Sequence, residues 1–333
     1  MSAHVVGVIG AGSWGTALAI HLGRIGHEVR LWARDSALAS DMSVRRANAV
    51  YLPDFNFPAT VRPMGSIAES LQDAGMVVIA VPSHGMRSVL RAAAPHVPAD
   101  AIVVSTAKGL EETSLLRMSE VVRQELSGVA AVVALSGPSF AVELARELPT
   151  AIVAASMTPG AVERVQEGFR SGALRLYGSS DLVGVEIGGA LKNIIAIAAG
   201  VVEGLGLGHN ALAALITRGL AEIARLAVSL GADRATLSGL AGLGDLVLTC
   251  TGTLSRNRHV GVELAHGRSL NEILSSTKMV AEGVRTTHAA LALGTRAGVE
   301  LPIAAQIAEV LAGRRDARSA VCELMGRRQR QEA

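Results

Sequence analysis

Apolar residues along this chain fall into two regimes. Up to about residue 182 they come as short runs rich in Val, Ile, Leu and Ala, at 5–9, 28–33, 76–81, 101–105, 130–135 and 151–155. Runs this short, bounded by turn residues, read as buried strands. Between them, 16–25, 86–94 and 115–125 carry apolar residues at helical spacing. Strands alternating with helices predict βαβ units and a mostly parallel sheet.

Beyond about 182 the strand signal stops. Segments near 182–203, 210–230, 236–241, 257–265, 269–275, 286–297 and 302–312 read as helices separated by Gly-rich breaks. The chain of 333 residues therefore divides into an α/β domain over 1–182 and an all-helical domain over 183–333. Gly204-Leu205-Gly206-Leu207-Gly208 resembles a phosphate loop but follows a helix instead of a strand, so it reads as an inter-helix connection.

Composition narrows the function classes. Half the residues are hydrophobic and only 2 % aromatic, the palette of a helix-covered sheet. The net charge of +2 gives no footprint for nucleic acid, and the basic run Arg327-Arg328-Gln329-Arg330 reads as a solvated tail. Two cysteines, Cys250 and Cys322, make no disulfide framework and fit a reducing compartment. Met1-Ser2-Ala3-His4 lacks the basic start of a signal peptide. The most apolar helix, near 183–202, carries Glu186, Lys192 and Asn193, and its uncharged tail over 194–202 is shorter than the roughly 20 residues a span needs. A cytoplasmic protein with no membrane span is expected. No His, Cys and Asp grouping has metal-ligand spacing: His259 and His266 stand alone, and no metal is expected. Cys250 reads as a small core hydrophobe.

Gly10-Ala11-Gly12-Ser13-Trp14-Gly15 fits G-x-G-x-x-G, directly after the first strand and opening a helix. In that context Gly10 permits a tight turn, Gly12 lets the backbone approach a pyrophosphate, and Gly15 lets helix and strand pack closely. Amides at the helix start then face the anion. This makes 1–182 a Rossmann-type dinucleotide-binding domain. The second strand ends in Arg34-Asp35. An acid there favours NAD through the ribose 2′-OH, and an Arg accommodates the 2′-phosphate of NADP. Arg34 comes first, so the reading leans to NADP with NAD left open.

Three lysines, Lys108, Lys192 and Lys278, stand among 31 cationic residues. A lysine can give up its proton where an arginine cannot. Ala107-Lys108-Gly109 and Ser136-Gly137-Pro138-Ser139-Phe140 end strands, at the edge where open α/β sheets bind ligands. Lys192 follows Gly188 and Gly189 on one helical face, which leaves room for a flat ring or another backbone. Asp245 is an acid in an apolar stretch and needs a partner, for which Lys192 is available. Ser255-Arg256-Asn257 has the look of a helix start, and a helix start beside an Arg clamps phosphate well.

Together these motifs resemble the bacterial type of the NAD(P)-dependent glycerol-3-phosphate dehydrogenase family, from the glycine loop to Val280-Ala281-Glu282-Gly283-Val284. The resemblance implies an active site between a Rossmann domain and a helical domain, a homodimer, and a product feeding glycerophospholipid synthesis. It implies cofactor contacts from Ser13, Trp14, Arg34, Lys108, Ala141, Arg256, Val280 and Glu282. It implies substrate contacts from Lys108, Gly137, Ser139, Lys192, Asp245, Ser255, Arg256 and Asn257, with Lys192 as general acid/base. It implies a small phosphorylated substrate. One departure is Leu110, where Ile would be expected.

Two rivals carry different signatures. β-Hydroxyacid dehydrogenases resemble a Lys followed four residues later by Asn, and position 196 here is Ala. A non-catalytic NAD(P)-binding regulator would need the glycine loop but not Lys192, Asp245 and Arg256 together.

Overall fold

The computed structural model describes residues 4–276, 280–328 and 331. Lys278 and the Gln329-Arg330 end of the basic run lie outside the described residues, as does Met1-Ser2-Ala3. The chain forms two compact units, one of 1–108 with 116–186 and one of 109–115 with 187–333. The expected boundary was 182/183. The observed division falls inside a long helix after Glu186, and the short segment following Lys108 belongs with the helical unit. Leu110 anchors that segment by burial, and Glu112 pairs with Arg285 at 3.1 Å.

Among the described residues the first unit has ten strands: β1 Val5–Ile9, β2 Glu28–Trp32, β3 Ala47–Asn48, β4 Leu52–Asn56, β5 Val61–Met64, β6 Met76–Ile79, β7 Ile102–Ser105, β8 Ala131–Ser136, β9 Thr150–Ala155 and β10 Leu174–Ser179. Eight form one sheet in the order β10-β9-β8-β7-β6-β1-β2-β5. Every neighbouring pair is parallel except β8 with β9. All six strands expected from the sequence are present. Val6, Val8 and Val104 pack on one face with Leu18 and Leu22 of helix Ser13–Arg24. Ile9, Val77 and Val103 pack on the other with Met86 and Leu90 of helix Met86–Ala93 and Val121 of Met118–Glu125. Burial on both faces is why these strands read as unbroken apolar runs.

The chain leaves β1 toward β2 and later returns to β6 on its other side, so the carboxyl ends of β1 and β6 flank the topological switch point. Gly10 is the first residue past β1. Strands β3 and β4 form a separate antiparallel ribbon inserted before β5.

The second unit is helical. Its central element is the part of helix Leu182–Gly204 after Glu186, followed by Gly208–Ser229, so 205–207 is the connection its glycines suggested. By length and composition Leu182–Gly204 passes for a membrane span, yet its apolar 18-residue stretch is wholly buried within the protein. Helix Arg256–Ala265 packs on it backbone to backbone. A Cβ at Gly261 would sit 1.9 Å from the Ile197 carbonyl oxygen, and one at Gly200 1.9 Å from that of Arg258. This contact fixes the start of Arg256–Ala265 against the helix that carries Lys192. Where one helix was expected over 236–241 there are Arg234–Leu237, a π-helical turn Leu240–Gly244, and a further helix Asp245–Thr251.

Candidate functional site

Each unit carries one set of the residues singled out by sequence. In the first, the glycine loop follows β1. Gly10 has φ 114°, a conformation L side chains avoid. A Cβ on Gly15 would lie 1.9 Å from the Gly10 carbonyl oxygen, so the loop closes only with glycine there. By contrast, no protein atom lies within 4 Å of where a Gly12 Cβ would sit. Gly12 is the N-cap of helix Ser13–Arg24, and no side chain caps it. Amides of a helix's first turn have no partner inside the helix. An open, uncapped, positive helix end beside a bare glycine fits a dinucleotide pyrophosphate.

Arg34 and Asp35 follow β2, both exposed. The Asp35 carboxylate is the N-cap of helix Ser36–Arg45, accepting from the amides of Ala37 at 2.9 Å and Leu38 at 3.4 Å. Arg34 carries no ion pair among the described residues. Lys108 lies just past β7, where its ammonium donates to the Gly137 carbonyl at 2.9 Å and the Ser139 hydroxyl at 3.4 Å. The Ser139 hydroxyl donates to the same carbonyl at 2.8 Å. The ends of β7 and β8 thus gather Lys108, Gly137 and Ser139 into one cluster. Ala141 opens the short helix Ala141–Ala145 and is half-buried.

In the helical unit Lys192 is 6 % exposed and Asp245 1 %. The Lys192 ammonium donates to Asp245 Oδ1 at 2.5 Å and to the Thr249 hydroxyl at 2.6 Å. Thr249 in turn donates to the Asp245 carbonyl at 2.7 Å, one helical turn back. A buried ammonium is tolerated only when paired and hydrogen-bonded, and both conditions hold. The pairing of Lys192 with Asp245 was expected; Thr249 was not singled out. Its signal was its place four residues after Asp245, on the same face of one helix. The π turn Leu240–Gly244 sets the entry to that helix, its Gly244 amide bonded to the Gly239 carbonyl at 3.0 Å. At Gly188 the packing alternative holds, since a Cβ would sit 2.8 Å from the Ala241 carbonyl oxygen. Beside this group Cys250 is buried, and burial pushes its thiol up to about 12, so it stays protonated and inert.

Ser255 is the N-cap of helix Arg256–Ala265, accepting from the Arg258 amide at 3.3 Å. Arg256 is exposed at the first helical position. Asn257 is buried and donates to Asn193 Oδ1 at 2.9 Å while accepting from the Gly283 amide at 3.0 Å. It thereby ties the residue after Lys192 to the start of helix Glu282–Ala297. Glu282 begins that helix, and both it and Val280 are half-buried. Among the described residues no group of acidic, His or Cys side chains could hold a metal ion.

Comparison with known proteins agrees with this geometry. Residues 5–162 match the model of the NAD-dependent glycerol-3-phosphate dehydrogenase N-terminus and 181–322 that of its C-terminus. The glycerol-3-phosphate dehydrogenase [NAD(P)+] of Citrifermentans bemidjiense is 49 % identical over 327 residues, covering 98 % of both chains. That of Thioalkalivibrio sulfidiphilus is 47 % identical over the whole of both chains. The crystal structure of glycerol-3-phosphate dehydrogenase from Coxiella burnetii superposes with a TM-score of 0.94 at 40 % identity, covering 98 % of this chain and 99 % of that one. A glycine loop at the switch point of a parallel sheet, a helical second unit and full-length kinship lead to one conclusion: this chain belongs to the NAD(P)-dependent glycerol-3-phosphate dehydrogenase family of oxidoreductases.

Proposed function

We propose that this enzyme interconverts dihydroxyacetone phosphate and sn-glycerol 3-phosphate, with Lys192 handling the proton and NADP(H) as preferred cofactor. The observation that carries the reading is the buried Lys192 ammonium, held at once by Asp245 and Thr249. When bound, the nicotinamide supplies hydride exchange with carbon 2 of the substrate. Gly10, Gly12, Ser13, Trp14, Gly15, Arg34, Lys108, Ala141, Arg256, Val280 and Glu282 hold the cofactor in this reading. Lys108, Gly137, Ser139, Asp245, Ser255, Arg256 and Asn257 hold the substrate.

In the reductive direction the Lys192 ammonium donates a proton to the carbon 2 oxygen as its negative charge develops, and it polarises the carbonyl beforehand. In the oxidative direction the neutral amine takes that proton back. Two of its contacts fix the position of Nζ, so the proton is delivered along a set direction. The N-cap of Arg256–Ala265 and the exposed Arg256 offer amides and a guanidinium to the phosphate.

Cofactor preference follows from what Asp35 is doing. One of its carboxylate oxygens, Oδ1, is committed to two amides of its own helix, which orients the group as a helix cap. Arg34 beside it suits a 2′-phosphate. The test is oxidation of NADPH and NADH by dihydroxyacetone phosphate, run in parallel. Rapid oxidation with NADPH at least about tenfold more efficient is expected, a margin worth one charge-assisted hydrogen bond. No oxidation from folded protein that still binds the cofactors overturns the substrate.

The remaining assignments share this footing. A cytoplasmic site of action suits Cys250 and Cys322, both free thiols. A product entering glycerophospholipid synthesis follows from the reaction. A homodimer suits the first turns of helix Gly208–Ser229, where Ala213 and Ala214 are exposed, and sedimentation tests it.

A further inference from the structure

Among the described residues, the ribbon β3–β4 carries a buried side chain that serves neither the sheet nor the substrate residues. Asn48 is 0 % exposed. Its amide nitrogen donates to the Ala11 carbonyl at 2.9 Å and to the Thr16 hydroxyl at 2.8 Å. Its amide oxygen accepts from the Tyr51 backbone N–H at 3.1 Å. Ala11 lies inside the glycine loop, and Thr16 lies one turn into the helix that the loop opens. Thr16 also leans on the Ala11 carbonyl, at 3.4 Å. One side chain, 37 residues away in sequence, therefore grips the loop and its helix together.

We propose that Asn48 is a positioning residue for the cofactor, and that the β3–β4 ribbon is the brace of the pyrophosphate loop. The reason lies in peptide geometry. In a planar trans peptide the C=O of one residue and the N–H of the next point in opposite directions. Asn48 draws the Ala11 C=O inward, so the Gly12 N–H is aimed the opposite way. Gly12 itself meets nothing within 4 Å of a Cβ position, so the loop is open at this residue. A flip of this peptide turns ψ of Ala11 and φ of Gly12, and glycine on the C-terminal side makes it easy because its φ is broadly free. Without Asn48, loop conformers with the Gly12 N–H turned inward become populated, and the cofactor must pay for reversing them.

The ribbon is built to hold Asn48 still. Leu52 of β4 is buried in the same apolar cluster as Leu18 and Leu22 of the helix. The Phe57 amide donates to the Arg46 carbonyl at 2.6 Å, closing the base of the ribbon. Arg46 itself is left-handed, with φ 55°, and its guanidinium donates to the carbonyls of Pro58 at 2.5 Å and Val61 at 2.9 Å.

The test compares Asn48→Ala with Val165→Ala, a buried core truncation in helix Ala161–Phe169 that removes no hydrogen bond to the loop. Cofactor affinity is read from quenching of tryptophan fluorescence, since Trp14 sits in the loop. Asn48→Ala is expected to raise the NADPH Kd and KM about tenfold, the loss of roughly one to two hydrogen bonds. Its kcat at saturating NADPH and its KM for dihydroxyacetone phosphate are expected to stay within about twofold. Val165→Ala lowers the melting temperature without moving the NADPH Kd. An unchanged Kd in folded Asn48→Ala, or an equal Kd shift in Val165→Ala, overturns the proposal. Should Asn48→Ala not fold, Thr16→Val removes only the hydroxyl that shares the grip and is expected to raise the Kd about threefold. No shift there overturns it as well.

Discussion

Around Gly10 to Gly15 the functional surface is main chain, and side chains matter there chiefly by being absent. Around Lys192 the functional surface is side chain, and every polar atom named there has a partner. The loop is open, with amides at an uncapped helix end and bare space beyond Gly12. The Lys192–Asp245–Thr249 group is closed, with the lysine 6 % and the aspartate 1 % exposed. The difference follows from the two tasks. A pyrophosphate is a diffuse anion that many weak, fixed dipoles hold well. A proton transfer needs one group at one place, and burial strengthens whatever field acts on it.

The two regions should therefore break differently. The largest effect is expected at Asp245. Asp245→Ala leaves the Lys192 ammonium buried without its carboxylate, and unpairing a buried charge costs about 3–5 kcal/mol. A large drop in the urea midpoint together with loss of turnover is expected. A variant as stable as the parent would mean that the pair does not carry this part of the fold.

Next come the two loop glycines, which separate packing from approach. Gly15→Ala places a Cβ 1.9 Å from the Gly10 carbonyl oxygen, so the loop must move and both stability and cofactor affinity fall. A loss of about 1–3 kcal/mol is expected, as for other overpacked sites. Gly12→Ala meets nothing within 4 Å, so its melting temperature should stay within about 2 °C of the parent. Its NADPH affinity should nevertheless fall about tenfold or more, because the methyl occupies the approach surface of the pyrophosphate. Equal melting-temperature losses in the two variants would show that the loop is not open at Gly12.

The remaining effect lies away from both regions and shows only as a dependence on pH. Glu222 accepts from the amides of Ile303 at 2.9 Å and Ala304 at 3.0 Å, capping helix Pro302–Leu311. Burial outweighs these bonds and pushes its carboxyl up to about 7, from 4.5 in the unfolded chain. The unfolded chain then loses this proton at lower pH than the folded protein does. Stability from this group is full below about pH 4.5 and is lost as pH rises toward 7. The total is about 3 kcal/mol. Glu222→Gln should flatten that slope in urea titrations at pH 5 and pH 8, and an unchanged slope would remove Glu222 as its source.

How much of this was legible in the sequence differs between the regions too. The glycine loop was readable because its constraint is local: strand, glycines and helix are consecutive. Lys192 with Asp245 was readable because a buried acid demands a cation and lysines are scarce here. Hidden were features set by distant contact. Strand β5 contains Arg62 and Pro63 at a sheet edge, and β10 alternates buried Leu174 and Leu176 with exposed Arg175 and Tyr177 on the other edge. Neither makes an apolar run. The reversal of β9 against β8 leaves no mark in either strand's composition. Asn48 sits on a two-residue strand whose meaning comes from Ala11, far away in the chain. Thr249 looked like one more polar residue until helix Asp245–Thr251 placed it under Lys192.

The most direct measurement is on Lys192→Ala, titrated with NADPH and assayed with dihydroxyacetone phosphate on the same preparation. If the loop holds the cofactor and Lys192 moves the proton, the NADPH Kd stays within about twofold while kcat falls by about 10²–10⁴, the worth of a positioned general acid. Turnover close to that of the parent, with cofactor still bound, would contradict the assignment of the proton to Lys192.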